Sequence, residues 1–271
     1  MDLKNKIIII TGASSGIGKS CAEELAKKGA NLVLGARQYV LLCEIAQDLE
    51  KRYGIRVVAV QCDVSKEKDC QNLIEQAILT FNRVDVLINN AGISMRALFK
   101  DLDLQVLHNL MDVNFWGAVY CTKYALPQLL KNRGSVVGVS SIAGYRGLPG
   151  RTGYSASKFA LNGFLEALRV ENLKTGLHVM IASPGFTASN IRNVALVKDG
   201  TPQGETSMDE GKMMGSDEVA KIIIRGIEQR KRSLVMTGQG KLTVLLNKFL
   251  PAWLDGLVYN HFTKEKDPLI K

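Results

Sequence analysis

A run of glycines directly after a short apolar strand is the feature that most constrains this chain. The β-branched segment Ile7 to Thr11 is followed by Gly12 to Gly18, which reads GASSGIG, and then by apolar residues at helical spacing. Glycines between a strand and a helix let a pyrophosphate approach backbone amides and the positive end of the helix. In this position the run predicts a dinucleotide-binding turn, although glycines in isolation indicate no more than a tight turn.

Strand-like and helix-like patterns then alternate along most of the chain. Short β-branched runs occupy residues 7–11, 32–34, 57–60, 84–88, 135–139, 178–182 and 233–236. Between them apolar residues recur three and four apart, and the helices predicted in this way include 114–130, 154–173 and 217–229. Strands that are apolar on both faces are typical of a buried parallel sheet. The expected fold class is α/β, a Rossmann-like doubly wound parallel sheet of about seven strands with helices on both faces.

The alternation breaks in two places. Residues 186–216 are polar and contain several glycines, and an irregular segment of that length in a compact domain is typical of a functional lid or a disordered loop. Helical spacing returns after residue 238. We expect one NAD(P)-binding Rossmann domain over 1–238, with a substrate loop at about 186–216, and an amphipathic helical tail over 239–271 that belongs to the same domain or to an interface.

Composition excludes several other classes of protein. With 46% hydrophobic residues the chain can bury enough surface to offset its conformational entropy, which excludes low-complexity disorder. No segment approaches the roughly 18 apolar residues of a spanning helix, and the N-terminal residues lack the pattern of a signal peptide. Five cysteines without a CxxC pair predict reduced thiols, so we expect a cytoplasmic protein with neither a disulfide framework nor a bound metal.

The basic character of the chain raises the question of a polyanionic partner. The chain has 35 Lys and Arg against 26 Asp and Glu, a formal net charge of +9. The basic residues are scattered, without aromatic interleaving or a recognised nucleic-acid motif, and we therefore expect no nucleic-acid partner. The cluster Arg230 to Arg232 is interpreted as a solvated helix end that the helix dipole stabilises.

The end of the second predicted strand indicates which dinucleotide binds. An acidic residue there would hold the ribose 2′-hydroxyl of NAD. The sequence has Gly35-Ala36-Arg37, which offers no carboxylate and a guanidinium suited to a 2′-phosphate. This favours NADP(H) over NAD(H), and the alternative is that Arg37 is an ordinary solvated surface side chain.

Tyr154 and Lys158 lie one turn apart on the same face of a predicted helix. A cation beside a phenol favours the phenolate and lowers its pKa from about 10, which makes the phenol a usable proton donor and acceptor. Ser140 and Ser141 follow the fifth predicted strand, at the edge where open α/β sheets bind ligands. The tyrosine and lysine alone would indicate ordinary helix surface, but with the serines they predict an acid–base site.

Taken together, these motifs resemble the classical short-chain dehydrogenase/reductase family over about residues 1–238. Thr11 to Gly18 is similar to its TGxxxGxG loop, and Asn89-Asn90-Ala91-Gly92 to its NNAG motif. Pro184-Gly185 matches the turn after the sixth strand. The family's asparagine, serine, tyrosine and lysine set corresponds to Asn114, Ser141, Tyr154 and Lys158.

The resemblance implies a role for each member of that set. Tyr154 would protonate the carbonyl oxygen of the substrate during hydride transfer, and Ser141 would hydrogen-bond to that oxygen. Lys158 would bind the nicotinamide ribose and tune Tyr154, and Asn114 would hold a water molecule that relays protons to solvent.

The resemblance also implies a set of cofactor contacts. They are Gly12, Ser14, Ser15, Gly16, Ile17, Gly18, Arg37, Asp63, Val64, Asn90, Ala91, Gly92, Tyr154, Lys158, Pro184, Gly185, Thr187 and Ser189. The family often has a threonine four residues after the glycine of the proline-glycine turn. That position is Ser189 here, with Thr187 two residues earlier, so either hydroxyl could reach the nicotinamide amide.

The expected activity is hydride transfer between NADPH and a hydrophobic ketone, or the reverse oxidation of a secondary alcohol, with a lipid, 3-ketosphinganine-like or steroid-like substrate. The substrate-side candidates are Ser94, Met95, Arg96, Ile142, Tyr145 and Leu148, for which plain core packing is the alternative. Within the family, the alternatives are a 3-ketoacyl thioester or sugar reductase. In another class, the alternative is a non-catalytic NADP(H)-sensing scaffold, which would have no need for the complete catalytic set.

The tail carries an apolar stripe at spacings of three and four. It consists of Leu242, Leu245, Leu246, Phe249, Leu250, Trp253, Leu254, Leu257, Val258 and Phe262, flanked by Lys241, Lys248, Lys264 and Lys266. A basic amphipathic helix with Trp and Phe is typical of peripheral contact with an anionic membrane. Pro251 and Asp255 interrupt the stripe and favour a helix pair packed on the domain or on a second subunit. We expect a homodimer or homotetramer.

Overall fold

The glycine run joins the first strand to the first helix in the computed structural model of the chain, which describes residues 1–188, 191–204, 213–264 and 267–270. Strand β1 spans Ile7–Thr11, and helix α1 spans Gly16–Lys27. Every residue of β1 is buried, as a strand covered on both faces requires. The strand, turn and helix order predicted from the sequence is confirmed.

Strands and helices alternate along the described chain. The strands are β1 Ile7–Thr11, β2 Asn31–Ala36, β3 Val57–Gln61, β4 Val86–Asn89, β5 Ser135–Val139, β6 His178–Ser183, β7 Thr187–Ala188, β8 Met214–Gly215 and β9 Ser233–Val235. The α-helices are α1 Gly16–Lys27, α2 Tyr39–Tyr53, α3 Glu67–Phe81, α4 Leu104–Met111, α5 Gly117–Lys131, α6 Thr152–Glu171, α7 Ser216–Glu228, α8 Gly238–Phe249 and α9 Pro251–Phe262. Short 3₁₀ turns lie at Phe99–Asp101 and Ile142–Gly144, and a π-helical turn at Asp112–Trp116.

The central sheet of the described chain contains seven parallel strands in the order β3-β2-β1-β4-β5-β6-β9. Ile9 of β1 pairs with Val33 of β2 on one side and with Leu87 of β4 on the other. The strand order therefore reverses between β1 and β4. Open α/β sheets bind ligands at the carboxyl ends of the strands beside such a switch point. The predicted fold class is confirmed.

Successive residues of β1 belong to two cores on opposite faces of the sheet. Ile8 and Ile10 pack with buried residues of α1, α2 and α7. Ile9 packs with buried residues of α3, α5 and α6. Side chains alternate across a strand, and each fully buried aliphatic side chain contributes roughly 1.5–3 kcal/mol, so the strand stabilises both helix layers at once.

The helix predicted from Asn114 to Leu130 has different bounds in the structure. Helical structure begins at Leu104, and Asn114 lies inside the π-helical turn that separates α4 from α5. A π-helical turn inserts an extra residue into the helical register, and the spacing of apolar residues does not reveal it. The predicted start at Asn114 was therefore wrong, whereas the end lies one residue from the observed Lys131.

The segment predicted to be irregular contains a short parallel pair, β7 with β8, in which Thr187 pairs with Met214. Ser189 and residues 190 and 205–212 lie outside the described residues. The tail forms the two helices α8 and α9. Among the residues that the structure describes, no helix is long and apolar enough to cross a membrane.

Candidate active site

A cavity of about 1190 Å³ lies at the carboxyl ends of the central strands and extends from the glycine turn to α8 and α9. The cofactor contacts predicted from the sequence that line it are Gly12, Ser14, Ser15, Gly16, Ile17, Arg37, Asp63, Val64, Asn90, Ala91, Gly92, Tyr154, Lys158, Pro184, Gly185 and Thr187. Ser141 lines the same cavity. Gly18 and Asn114 pack beside it, and Ser189 lies outside the described residues. The fold thus brings most of the predicted residues to one place.

Close backbone contacts explain the glycines of the turn. Gly12 has a left-handed backbone with a φ of +65°, and a Cβ there would lie 2.9 Å from the Cα atom of Ala91. A Cβ at Gly18 would lie 2.3 Å from the carbonyl oxygen of Gly12, so Gly18 lets α1 pack against the turn. Asn90 Nδ2 donates to the carbonyl oxygens of Thr11 at 2.9 Å and Gly12 at 3.2 Å. The turn is therefore a rigid wall without large side chains, which fits a pyrophosphate.

The ends of β2 and β3 form the wall next to the glycine turn. Arg37 is exposed, and its side chain makes no hydrogen bond or ion pair with any residue that the structure describes. Asp63 Oδ1 accepts hydrogen bonds from Ser65 N at 3.1 Å and from Ser65 Oγ at 2.8 Å, which fix the carboxylate in place. Gln38 and Cys62 also line this wall and were not predicted, although each directly adjoins a predicted residue in the chain.

Tyr154 lies in the first turn of α6, where its phenol faces the hydroxyl of Ser141. Ser141 directly follows Ser140 at the end of β5, and its Oγ accepts a hydrogen bond from Ala143 N at 3.2 Å. Burial raises the pKa of Tyr154, while the Ser141 hydroxyl and the positive charge of Arg151 lower it. Tyr154 is a half-buried residue, and its phenolic proton is held more tightly than in water.

Lys158 is buried one turn after Tyr154 on the same helix. Its Nζ lies 5.7 Å from the centroid of the Tyr154 ring and donates to the carbonyl oxygen of Val139 at 2.9 Å. Burial lowers the pKa of Lys158 to about 8. The pKa of Tyr154 is raised, opposite to the lowering predicted from the charge of Lys158, because burial of the phenol outweighs the groups that favour phenolate.

Asn114 connects the π-helical turn to the segment after β4 and to α6. Its Oδ1 accepts from Ile93 N at 2.8 Å, and its Nδ2 donates to the carbonyl oxygen of Ile93 and to Ser157 Oγ, both at 2.9 Å. A Cβ at Gly92 would lie 3.2 Å from Asn114 Oδ1. π-helical turns occur frequently at functional sites, and this one holds the amide between the NNAG segment and α6.

The predicted substrate-side residues divide into two groups. Ser94, Ile142 and Leu148 line the cavity. Met95 is fully buried in a small core against which Tyr154 packs, Arg96 pairs with Asp267 at 3.1 Å, and the hydroxyl of Tyr145 lies 3.2 Å from Ser233 Oγ. Sequence neighbourhood alone does not separate the two groups, because it does not specify the direction of a side chain.

The apolar stripe of the tail also divides into two faces. Leu242, Leu246, Leu254, Leu257, Val258 and Phe262 line the cavity. Leu245, Phe249, Leu250 and Trp253 point outward and are between 52% and 66% exposed. The tail therefore forms one wall of the site and also presents an apolar outer surface.

Three contacts hold the tail against the segment that follows Ser141. Arg146 donates to Asn247 Oδ1 at 3.0 Å and pairs with Asp255, and Asn247 Nδ2 donates to the carbonyl oxygen of Tyr145 at 2.9 Å. At the start of α8, a Cβ on Gly240 would lie 2.6 Å from Cδ1 of Ile142. The close approach at Gly240 places the tail directly beside the residues that follow Ser141.

Sequence reasoning missed Arg151 on the distal wall. Other residues of that wall lie in segments that the sequence did predict, without being singled out as lining the site: Phe186, Ile191, Arg192, Val194, Met213 and Met214 in the substrate loop, and Gln239, Thr243, His261 and Lys264 in the tail. Arg151 lies three residues before Tyr154, where the predicted helix begins, and this proximity in sequence was a usable signal. The others come from segments whose packing the sequence pattern does not show.

Fold and cavity together define a Rossmann-type dinucleotide site with serine, tyrosine and lysine side chains at its centre. A family model described as short chain dehydrogenase matches residues 6–198. The 11-beta-hydroxysteroid dehydrogenase A of Arachis hypogaea is 36% identical over 268 residues, which cover 94% of this chain and 74% of that protein. Dehydrogenase/reductase SDR family member 7B of Danio rerio is 34% identical over 252 residues, which cover 90% of this chain and 81% of that protein.

Solved structures show the same similarity. The short-chain dehydrogenase from Sphingobium yanoikuyae in complex with NADPH superposes with a TM-score of 0.75 at 25% identity, with 97% of both chains covered. A short chain dehydrogenase/reductase from Burkholderia phymatum in complex with NAD has a TM-score of 0.84 at 23% identity, with 94% of this chain and 96% of that chain covered.

The chain belongs to the short-chain dehydrogenase/reductase family, whose members are oxidoreductases that bind NAD(P). The resemblance that the motifs indicate is thereby confirmed. One of these solved structures contains NADPH and the other contains NAD. The preference of this chain for one cofactor must therefore be inferred from its own residues after β2.

Proposed function

We propose that this protein is an NADP(H)-dependent carbonyl reductase and alcohol dehydrogenase that acts on a hydrophobic ketone or secondary alcohol of steroid-like or lipid type. The observation that carries the proposal is that one cavity joins the glycine turn and the Ser141 and Tyr154 pair to an apolar wall from α8 and α9. The names of relatives such as 11-beta-hydroxysteroid dehydrogenase A support the steroid-like version.

The cofactor end of the cavity fits a nicotinamide dinucleotide. The rigid turn around Gly12 would hold the pyrophosphate at the N-terminus of α1. Asp63 would contact the adenine, and Thr187, Pro184 and Gly185 would lie along the nicotinamide, with Ser189 as a second candidate hydroxyl. When bound, the dinucleotide supplies the hydride in the reductive direction and accepts it in the oxidative direction.

In this proposal, side chains of the protein transfer the proton and orient the substrate. Ser141 hydrogen-bonds to the substrate oxygen, and Tyr154 gives its phenolic proton to that oxygen in reduction or takes a proton from the hydroxyl in oxidation. Lys158 holds the ribose and stabilises negative charge on the phenol. Asn114 positions a water molecule for the return of the proton.

Arg37 supports NADP(H) as the preferred cofactor. It lines the cavity at the end of β2, is exposed, and has a side chain that no described protein group holds. A guanidinium in that position makes charge-assisted hydrogen bonds to a 2′-phosphate, and β2 ends without the carboxylate that a 2′-hydroxyl would need.

The distal wall supports an apolar substrate. Leu246, Leu254, Leu257 and Val258 face the cavity from the tail, and Ile142 and Leu148 face it from the loop after Ser141. Burial of apolar surface contributes roughly 25 cal/mol per Å², so a steroid or acyl-chain ketone gains affinity there that a sugar does not.

The outer face of the tail supports peripheral contact with an anionic membrane. Phe249 and Trp253 are 66% and 55% exposed, and Lys241 and Lys248 lie on the same helix pair. The alternative is that the outer face of the tail packs against another subunit of a homodimer or homotetramer. Lys266, one of the lysines predicted to flank the apolar stripe, lies outside the described residues. Co-sedimentation with phosphatidylserine vesicles should be lost in a Phe249→Ser, Trp253→Ser double variant. Binding that is unchanged by the double variant would remove the membrane contact, and light scattering reports the oligomer in the same samples.

In this proposal the Rossmann domain, predicted over residues 1–238, and the tail, predicted over residues 239–271, form one functional unit. The expected cytoplasmic location agrees with the burial of four free thiols, at Cys21, Cys62, Cys70 and Cys121.

NADPH consumption across a panel of compounds tests the proposal. The panel contains steroid ketones, long-chain 3-keto amines, 3-ketoacyl thioesters and sugars, with NADH in parallel and a Tyr154→Phe variant as the inactive control. We expect turnover of the steroid or long-chain ketones. Turnover of thioesters or sugars alone would overturn the substrate class, and cofactor binding without turnover of any compound would favour a sensing scaffold.

A further inference from the structure

Three buried polar atoms beneath the turn that carries Ser141 have no hydrogen-bond partner among the described residues. They are the hydroxyl oxygens of Ser140 and Ser183 and the amide oxygen of Asn162. The three residues are between 0% and 6% exposed. A buried polar atom without a partner has lost its hydration at a cost in free energy, and in native proteins such atoms commonly bind an internal water molecule.

The two serines are neighbours at the carboxyl ends of β5 and β6. The ladder between these strands pairs Val139 with Ala182. It continues for one more residue, because the backbone N–H of Ser140 donates to the carbonyl oxygen of Ala182 at 2.7 Å. Ser140 and Ser183 are therefore the next residues in register and lie side by side.

Both serine side chains face α6, because side chains two residues apart on a strand share a face. A Cβ at Gly138 would lie 2.3 Å from Cδ1 of Leu165 in α6, and Ser140 follows two residues later. Ile181 belongs to the same core cluster as Leu165, and Ser183 follows Ile181 two residues later. The two hydroxyls therefore lie between the sheet and α6.

Asn162 reaches the same place from α6. Its Nδ2 donates to the carbonyl oxygen of Gly144 at 2.9 Å, and its Oδ1 is the third atom without a partner. A Cβ at Gly144 would lie 2.8 Å from both Asn162 Nδ2 and Ser140 Oγ. It would also lie 3.0 Å from the carbonyl oxygen of Lys158. Ser140 and Asn162 thus approach each other beside the buried Gly144, where there is no space for a further side chain.

We propose that these three side chains bind one internal water molecule, and that the hydration site so formed fixes the turn with Ser141 on the helix that carries Tyr154. Ser140, Ser183 and Asn162 are then positioning residues. The inference rests on the proposed function, in which Ser141 and Tyr154 act on the same substrate oxygen.

The chemistry of the three groups fits a water molecule. A serine hydroxyl can donate to a water or accept from it, and an amide oxygen accepts, so one water can make the roughly three hydrogen bonds typical of buried waters. A bound cation fits less well, because none of the three groups carries a negative charge. In addition, the ammonium of Lys158 donates to the carbonyl oxygen of Val139, directly before Ser140, and would repel a second cation.

The hydration site holds both ends of the turn with Ser141. At the first end, Ser140 directly precedes Ser141 in the chain. At the second end, the N–H of Gly144 donates to the carbonyl oxygen of Ser141 at 3.0 Å, and Asn162 binds the carbonyl oxygen of Gly144. Asn162 lies on the same helix as Tyr154, about two turns later. The position of the Ser141 hydroxyl relative to the phenol therefore depends on this cluster.

A high-resolution crystal structure of the full-length protein tests the water directly. We expect one peak of electron density within hydrogen-bond distance of Ser140 Oγ, Ser183 Oγ and Asn162 Oδ1. The absence of such a peak would overturn the proposal. A rotated Asn162 amide that bonds directly to either serine would overturn it as well.

Ser183→Ala and Ser140→Ala test the positioning role, because alanine removes the hydroxyl and keeps the rest of the side chain. With the best ketone of the panel, we expect each variant to lower kcat about three- to tenfold, with KM for NADPH within about a factor of two. The double variant should lose little more than either single variant, since both remove the same water. Single effects that simply multiply in the double variant would overturn the shared water.

The pH dependence of kcat gives a second measurement, one that a loss of stability alone does not change. The Ser141 hydroxyl is one of the groups that lower the pKa of Tyr154. Displacement of Ser141 should therefore move the kcat profile of Ser183→Ala to higher pH. A profile identical to that of the parent protein would overturn the positioning role.

Ser135→Ala is the matched control. Ser135 is also a fully buried serine, but it lies at the opposite end of β5, where its Oγ is 3.0 Å from Nδ1 of His178. This variant should lower the thermal midpoint and leave kcat and its pH profile unchanged. A loss of kcat as large as that in Ser183→Ala would overturn the positioning role. If Ser183→Ala does not fold, Ser140→Ala in the same assays decides the question.

Failure of the proposed function would be recognised separately. A parent protein that turns over no compound of the panel would contradict that function. The crystal structure of Ser183→Ala then decides the inference without turnover: we expect the turn with Ser141 to move relative to α6, and a turn in the parent position would overturn the positioning role.

Discussion

The two ends of the cavity are built in different ways. At the cofactor end, backbone segments meet at distances that leave no space for a Cβ, as at Gly12 and Gly18, and Asn90 ties the turn to β4. At the tail end, the wall consists of side chains from two short helices held by contacts such as that of Arg146 with Asn247. The cofactor end cannot change shape by substitution without a clash in the backbone. The tail end can change shape when its side chains are substituted. We therefore expect chemistry to depend on the first end and substrate choice on the second.

Removal of the proposed proton donor should have the largest effect. Tyr154→Phe is expected to lower kcat by roughly 10²- to 10⁴-fold, the usual contribution of general acid–base catalysis. The apolar ring packing against Met95 is retained, so the thermal midpoint should change little. Steady-state rates with the best ketone of the panel, together with a melting curve, check both parts. A kcat within a factor of three of the parent protein would contradict the assigned role.

Arg37→Ala should reduce kcat/KM for NADPH by about 10- to 100-fold, because a hydrogen bond to a charged group is worth roughly 1.5–3 kcal/mol. The value for NADH should stay the same, which makes NADH the internal control. An equal decrease in kcat/KM for NADPH and NADH would show that Arg37 does not bind the 2′-phosphate.

Gly18→Ala should weaken NADPH binding by about tenfold and lower the thermal midpoint, since the new Cβ would lie 2.3 Å from a backbone oxygen and overpacking costs about 1–3 kcal/mol. Fluorescence titration with NADPH measures the affinity. Binding of NADPH at full affinity would mean that α1 can move away from the glycine turn. That result would contradict the rigidity of the cofactor end.

At the tail end, Arg146→Gln should raise KM for an apolar ketone about fivefold, which corresponds to about 1 kcal/mol, the upper range for an exposed ion pair. Asp255 is 69% exposed, so its ion pair with Arg146 contributes little electrostatic energy. The main loss in the variant is therefore the fixed position of the tail. The kcat value should stay within a factor of two. A fall in kcat with KM unchanged would show that the tail acts on the chemistry and would remove the contrast between the two ends.

Gly256→Ala should have the smallest effect and the opposite sign. Gly256 lies in α9, and a Cβ there would meet nothing within 4 Å. Alanine in place of an unconstrained helical glycine stabilises by roughly 0.5–1 kcal/mol, so the thermal midpoint should rise slightly with NADPH binding unchanged. The variant is also the matched control for Gly18→Ala, and loss of NADPH binding would show that the tail is coupled to the cofactor end.

Much of the cofactor end could be predicted before the structure was known. The bounds of β1 and β5 agree with the sequence pattern residue for residue, because a short apolar strand between turn residues has little freedom in its limits. The glycine turn and the spacing of Tyr154 and Lys158 depend on local geometry alone. The π-helical turn at Asn114 was missed, since an inserted helical residue leaves the apolar spacing almost unchanged.

The tail end could not be predicted in the same way. Its apolar stripe indicated helices, but Leu246 and Leu257 face the cavity whereas Leu245 and Trp253 face outward, and the spacing of the residues does not distinguish them. The upward shift in the pKa of Tyr154 also came from burial, which the Tyr154 and Lys158 spacing does not report.

The chain alone was enough to identify the alternating sheet, the glycine turn and the serine, tyrosine and lysine set, because each of these follows from backbone geometry within a few residues. Packing between distant segments was needed for the rest: the inner face of the tail, the contact of Arg146 with α8, and the position of Arg151 beside Phe262. Those contacts depend on how helices dock onto a finished sheet, and the order of residues along a single helix does not contain that information.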